Sequence, residues 1–384
     1  MQTHSNFRLL VVRLGAMGDI LHALPAVTAL RIAHPDWQID WVVEPRWSAL
    51  LTAIPAMEQD NSTLQPCQGR TSVVPQMPHN DNGASAPEVG SSQTPAQPVV
   101  DHLHFAATKA WRKAPFSRQT RTEFMALRAA LRGGLFDAVI DLQGSLRSAL
   151  IASLAGCRRL IGEENPRERP ARWLFSERVP TQGAHVIEQD LELASAIADE
   201  ALQPVLPWLP LDPAAEAWAD IILPAGSLPA VLINPGAGWG AKRWPPERYA
   251  AVVQGLIERG CRVLINVGPG EEPLAEVIVR QTAGAATALA CSLAQLIAVT
   301  RRVALTIAGD TGPLHLACAL GRPVVGIYGP TDPSRNGPFG SRFTVLRSPQ
   351  SRRDHSRYEA PEAGLLIIQP DEVLRAAGAL LYPE

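Results

Sequence analysis

The sequence predicts an α/β protein built from two doubly wound, Rossmann-like domains that face each other across a cleft. Three observations carry this. Short apolar strands alternate with helical stretches along most of the chain. A proline cluster at Pro204, Pro207, Pro210 and Pro213 interrupts the alternation, which then restarts. Several strands run directly into glycine-bearing loops. Strand–helix alternation implies parallel sheets with right-handed crossovers, and ligands of such sheets sit beyond the carboxyl ends of the strands. The 384 residues, 46% hydrophobic, suffice for two packed cores. We place the first domain at 1–205 and the second at 206–384, with the final helix packing back on the first.

The elements follow in order. Residues 9–13 form a short β-rich run, followed by a glycine loop and a helix over 19–33. IDWVV (39–43) is the second strand. From 59 to 97 the chain is rich in Pro, Ser, Gln, Asn and Gly without apolar periodicity, which reads as a solvated insertion. Residues 138–141 and 160–161 resemble further strand ends, with a helical stretch over 145–155 between them. A helix runs from 184 to about 202, and the proline cluster then forms the linker. The second half repeats the pattern: VLIN (231–234), a helix over 246–260, VLINV (263–267), a helix over 271–281, ALTIA (304–308), a helix over 313–320 and VVGIYG (324–329).

Composition excludes several classes of function. A formal net charge of −2 argues against a nucleic-acid partner. Five scattered cysteines with no C-x-x-C pair make neither a zinc site nor a disulfide framework, and suit a reducing cytoplasm. The N-terminus has a short apolar run leading into Gly-Asp and lacks the marks of a signal peptide. No stretch reaches 18 uninterrupted apolar residues, so no transmembrane helix is expected.

The most informative segment is 306–315, TIAGDTGPLH. A strand enters Gly309-Asp310-Thr311-Gly312, and a helix starts near Pro313, where proline's missing N–H costs nothing. The amides of Thr311 and Gly312 and the positive end of the helix dipole favour a phosphate or pyrophosphate. Gly312 permits close backbone approach, and His315 adds a proton donor. The plainer reading is a strand-to-helix turn with Asp310 or Thr311 as N-cap. In the same half, glycines at 236 and 238 precede Lys242, whose ammonium suits a phosphate. Glu271 and Glu272 follow another strand end, as ribose ligands or as first-turn acids complementing a helix dipole. In the first half, Gly15, Gly18 and Asp19 follow the first strand. Asp19 reads as an N-cap or as a general base held at a rigid strand end. Trp111, Arg112, Lys113, Arg118 and Arg121 form a basic, aromatic-flanked run suited to carboxylate or phosphate, or else a solvated helix face.

Together GAMGDILHALPAVTALR (15–31), WVVEPRW (41–47), WRKAPFSRQTR (111–121), DLQGSLRSAL (141–150), NPGAGWGAKRWP (234–245) and AGDTGPLHLACALGRPVVGIYGPTDP (308–333) resemble the bacterial lipopolysaccharide heptosyltransferases. The likeness is strongest to members that attach the first heptose to inner-core Kdo, and spans nearly the whole chain apart from the insertion. It implies the two-domain glycosyltransferase-B fold, ADP-heptose as donor substrate, and inversion at the anomeric carbon. It implies Asp19 as base, with Gly18, Arg112, Lys113 and Arg147 on the acceptor side. It places Lys242, Glu271 or Glu272, Asp310, Thr311, Gly312 and His315 around the donor. Two threonines that precede the lysine in some members are Ala237 and Gly238 here, so their hydroxyl contacts are absent. The partner implied is Kdo–lipid A at the cytoplasmic face of the inner membrane, approached peripherally.

No cofactor is implied, and no metal is demanded, because no D-x-D stands at a strand end and cationic side chains can take the leaving charge. The competing readings are a transferase or epimerase acting on another nucleotide sugar, a transferase for a later core acceptor, and a nicotinamide-dependent oxidoreductase. The oxidoreductase reading rests on Glu44 as ribose-binding acid and is weakened by G-x-x-G in place of G-x-G-x-x-G. A nonenzymatic nucleotide-sugar binding module requires Asp19 to be dispensable.

Overall fold

The computed structural model describes residues 7–52, 98–354 and 358–383. The insertion expected at 59–97 lies outside them. In the first half the elements are β1 Arg8–Val12, α1 Met17–Ala33, β2 Gln38–Val43, β3 His102–Phe105, α2 Thr108–Lys113, α3 Arg118–Gly133, β4 Ala138–Asp141, α4 Leu146–Ser153, β5 Leu160–Glu163, β6 Glu177–Val179 and α5 Val186–Ala198. The second half holds α6 Pro213–Ile222, β7 Ala230–Asn234, α7 Pro246–Glu258, β8 Arg262–Asn266, α8 Glu272–Gln281, β9 Thr287–Leu289, α9 Leu293–Arg302, β10 Leu305–Gly309, α10 Gly312–Ala319, β11 Val324–Tyr328, α11 Pro333–Asn336, β12 Phe343–Arg347 and α12 Pro370–Leu381.

Two six-stranded sheets result, ordered β3-β2-β1-β4-β5-β6 and β12-β11-β10-β7-β8-β9. Every strand pair is parallel. Counted from its own first strand, each sheet runs 3-2-1-4-5-6, the doubly wound order whose direction reverses between strands 1 and 4. The reversals fall between β1 and β4 and between β7 and β10, and a ligand crevice opens above such a point.

The central strands are apolar on both faces because helices cover both. In β1, Leu9 and Val11 face α1 while Leu10 and Val12 join Leu127, Leu131 and Phe136 beyond the other face. Each fully buried aliphatic side chain of this kind contributes about 1.5–3 kcal/mol. Gly15 must be glycine: its φ is +145°, and a Cβ there would lie 2.7 Å from Nε1 of Trp47.

The segment between α5 and α6 is extended but tied down at several points. Trp208 N donates to Thr28 Oγ1 of α1 at 3.3 Å, and Arg301 of α9 donates to the carbonyls of Leu209 and Pro210 at 2.8 and 2.9 Å. Asp212 caps α6 through the amides of Ala214 and Ala215. The expectation for the final helix is corrected. Val373, Leu374, Ala377 and Leu380 of α12 join the core beneath the second sheet, and the helix packs on α7 and β10–β12. No helix among the described residues is long and apolar enough to cross a membrane.

Candidate active site

The turns at the two reversal points meet. The opening turn of α1 lies against the opening turn of α10. A Cβ on Gly312 would strike Met17 Sδ at 2.6 Å, and one on Gly18 would strike His315 Cδ2 at 2.9 Å. The missing side chain of Gly312, read from sequence as room for an anion, therefore makes room for α1. Gly18, expected on the acceptor side, faces the His315 ring.

On the α10 side, Asp310 organises the cations. Lys242 Nζ, at the end of the β7 loop, pairs with one carboxylate oxygen of Asp310 and stands 3.4 Å from its carbonyl. His315 Nε2 lies 3.2 Å from the other oxygen. Burial alone would raise the Asp310 pKa. The hydrogen bond from His315 and the charge of Lys242 outweigh it and hold the carboxyl well below the usual range. The Lys242 ammonium also sits 4.3 Å above the Trp239 ring. Lys242, Asp310 and His315 thus form one charge-compensated cluster.

His315 Nδ1 in turn lies 3.1 Å from Nε2 of His22, three residues past Asp19 on α1. Because a carboxylate only accepts, His315 presents Nε2–H to Asp310. In its neutral form its Nδ1 then accepts the Nε2–H of His22. Burial, and next the positive charge available to His315, push the His22 pKa well below its ordinary value.

Two asparagines at strand ends brace the loops beside this cluster. Asn266 donates to Asn234 Oδ1 at 2.6 Å, and Asn234 donates to the Gly236 carbonyl at 3.1 Å and towards Thr311 Oγ1 at 3.4 Å. Thr311 precedes α10 without a side-chain cap. Pro313 carries no N–H and Leu314 N donates to the Thr311 carbonyl at 3.1 Å, which leaves the Gly312 amide as the first-turn donor without an acceptor inside the helix. The structure separates the two glutamates. Glu271 Oε2 accepts from Gly268 N at 3.1 Å, and its carboxyl lies so close over Gly236 that a Cβ there would overlap it. Burial raises the Glu271 pKa. Glu272 is exposed at the start of α8.

On the α1 side, the helix starts at Met17 with Ala16 at its cap, so Asp19 is not the N-cap expected from sequence but stands at the third helical position. Oδ2 accepts from Ala16 N at 2.8 Å, closing the helix start, while the side chain keeps 38% of its exposure. Oδ1 lies 3.8 Å from Nη2 of the buried Arg13. Asp141, ending β4, accepts from the amides of Gln143 and Gly144 and from Ser148 Oγ, and burial pushes its carboxyl up to about 6. Gln143 Oε1 then accepts Leu14 N at 2.8 Å, fixing the β4 loop to the β1 loop.

The basic groups lie on α2, α3 and α4. Arg112 and Lys113 are exposed at the end of α2, and Arg147 is exposed in the first turn of α4 with Nη1 3.4 Å from Thr108 Oγ1. Arg118 and Arg121 are exposed on α3, whose start Ser117 caps through Thr120 N. Glu44 is buried and accepts from Thr108 Oγ1 and Lys109 N, so it closes the start of α2 and is already occupied as an acceptor.

Sequence reading missed His22, Arg13, Asp141, Asp190, Asn234 and Asn266. The repeated LIN at both strand ends marked the asparagines, and the spacing of three from Asp19 put His22 on the same face of α1.

Comparison with known proteins bears on the family and the fold. The profile of glycosyltransferase family 9 (heptosyltransferase) matches residues 124–365. Lipopolysaccharide heptosyltransferase 1 of Escherichia coli (strain K12) is 29% identical over 348 residues, covering 89% of this chain and 94% of that protein. Lipopolysaccharide heptosyltransferase 2 of the same strain is 28% identical over 276 residues, covering 66% and 78%. The solved structure of E. coli heptosyltransferase WaaC with ADP superposes with a TM-score of 0.73 at 24% identity, over 97% of this chain and 100% of that one.

Proposed function

The chain belongs to glycosyltransferase family 9, the heptosyltransferases, and from that premise we propose that it transfers L-glycero-D-manno-heptose from ADP-heptose to Kdo of the lipopolysaccharide inner core. The observation that carries the proposal is the contact between the Asp19-bearing turn of α1 and the Asp310–Gly312 turn of α10. It brings the helix turn that carries the Asp19 carboxylate against the start of α10, a helix end of the kind that favours anions. Support for the donor and acceptor comes from the relative named for lipopolysaccharide heptosyl transfer, which matches over most of both chains, and from the ADP in the WaaC structure.

In the proposed reaction Asp19 takes the proton of the acceptor hydroxyl through the oxygen not committed to the Ala16 amide. The alkoxide oxygen forms its bond to the anomeric carbon as the bond to the ADP oxygen breaks, with inversion and oxocarbenium character between. Negative charge grows on the diphosphate, where Lys242, His315 and the amides of Thr311 and Gly312 at the start of α10 stabilise it. Glu271, rather than Glu272, faces the ribose. Arg112, Lys113 and Arg147 recognise the carboxylate of Kdo and the phosphates of lipid A. The lipid acceptor puts the enzyme at the cytoplasmic leaflet, held peripherally by charge and by apolar side chains such as Phe116, which is 92% exposed beside the α2 cations. A later core acceptor is the second reading, favoured by the likeness to heptosyltransferase 2.

The test compares ADP-heptose with UDP- and GDP-sugars by thermal shift, and then assays heptosyl transfer to Kdo–lipid A and to an acceptor already carrying one heptose. Stabilisation by ADP-heptose with transfer to the unheptosylated acceptor is expected. Transfer only to the heptosylated acceptor would establish the second reading.

A further inference from the structure

Behind Asp19 stands a charged pair that the reaction does not use. Arg13 directly follows β1 and is 5% exposed. Its Nη2 lies 3.8 Å from Asp19 Oδ1, and its Nη1 lies 4.0 Å from Oδ1 of Asp190 on α5. Both separations exceed a direct hydrogen bond. Arg13 Nε and Asp190 Oδ2 are both buried without a partner. One guanidinium is thus divided between two carboxylates and closed on neither.

The other charged groups that face Asp190 are Asp141 from β4 and Glu163 from β5, both acidic. Asp141 is committed to its loop amides, and Glu163 accepts from Thr181 Oγ1 at 2.8 Å. Arg13 is therefore the cation Asp190 depends on. Burial, opposed by Arg13, pushes the Asp190 carboxyl up to about 7.

We propose that Asp190 is a positioning residue that sets the basicity of Asp19 through Arg13. The inference rests on reading Asp19 as the base. When Asp190 is ionised, its charge compensates the guanidinium and leaves Asp19 the stronger base. When Asp190 takes a proton from solvent, the guanidinium field falls on Asp19 alone and weakens it as a proton acceptor.

The experiment is the pH profile of kcat/KM for heptosyl transfer in the parent, Asp190→Asn and Asp190→Glu. The parent should rise about three-fold or more between pH 6 and 8. Asp190→Asn should stay near the parent's low-pH level across that range, and Asp190→Glu should restore the rise. A merely structural role would scale the whole profile and keep its shape. Steps that belong to His22, His185 or His315 would persist in Asp190→Asn. An unchanged step in that variant overturns the proposal.

If Asp190→Asn does not fold, the parent with 13C-labelled aspartate carboxyls supplies the test. The Asp19 resonance, identified by its loss in Asp19→Asn, should move twice, once with its own proton and once as Asp190 ionises near neutrality. A single movement overturns the proposal. The carboxyl titration reads the coupling whether or not Asp19 is the base, and the turnover of Asp19→Asn reads the base separately.

Discussion

His22 Nε2 and His315 Nδ1 stand 3.1 Å apart, joining the helix after the first sheet's opening strand to the helix after the fourth strand of the second sheet. The ring of His185 completes the cluster, edge-on to His22 with centroids 5.5 Å apart. Through His315 the connection continues to Asp310 and Lys242. A side chain on the acceptor half thereby orients the groups expected to hold the donor diphosphate.

His22→Phe removes the donor to His315 Nδ1 and leaves that nitrogen buried, at a cost of about 1–3 kcal/mol. The loss depends on pH. The folded pKa of His22 lies below its unfolded value near 6.5, so the unfolded chain binds the proton first. The stability that neutral His22 contributes is complete above pH 6.5 and is lost as pH falls through the folded pKa. Melting curves from pH 7.5 to 5 should show the gap between parent and variant closing with acid. A gap constant with pH would mean that the ring titrates normally.

Lys242→Ala should weaken ADP binding by about 2–4 kcal/mol, because it strips the diphosphate of its counter-charge and leaves the Asp310 carboxylate facing it with the His315 hydrogen bond but no ammonium. Adding Asp310→Asn should recover part of the loss, since the repulsion goes with the carboxylate. Calorimetric titration of ADP into both variants checks this. Equal losses in the single and double variants would mean that Asp310 does not act through Lys242.

The two glutamates should differ. Glu271→Gln, which disturbs a carboxyl packed over Gly236 and bonded to Gly268 N, should weaken donor binding by about 1–2 kcal/mol. Glu272→Gln, an exposed first-turn change, should leave it within about 0.5 kcal/mol of the parent. Donor affinity measured for both decides which glutamate faces the ribose.

Replacing Arg112, Lys113 and Arg147 together by glutamine should raise KM for the acceptor at least ten-fold, because it removes charge-assisted hydrogen bonds worth roughly 1.5 kcal/mol or more. ADP affinity should not change. A rise in donor Kd of the same size would move these cations to the other substrate.

Much of this was legible in the sequence because the central strands are apolar on both faces and end in glycine. The segments 231–234, 263–267, 304–308 and 324–329 correspond to β7, β8, β10 and β11, and their loops carry Lys242, Glu271 and Asp310. The edge strands β6, β9 and β12 escaped notice. β6 and β9 are three residues long, and all three strands include exposed side chains, so their positions give no continuous apolar run. α9 was missed despite its Ser292–Gln295 capping box. The site residues that escaped are those defined by a distant partner. Nothing near His22 in sequence announces His315, 293 residues away, and the role of Arg13 becomes visible only once β1 and α5 are packed together.

The turnover of Asp19→Asn tests the account most directly. Asparagine keeps the size of the side chain and an oxygen for the Ala16 amide, so folding and ADP affinity should stay close to the parent's. It cannot take the acceptor proton, and loss of a general base costs about 10²–10⁴ in rate. Heptosyl transfer should fall by that order with the melting temperature preserved. Turnover above roughly a tenth of the parent rate would contradict the account, leaving Asp19 as a helix cap and the base elsewhere.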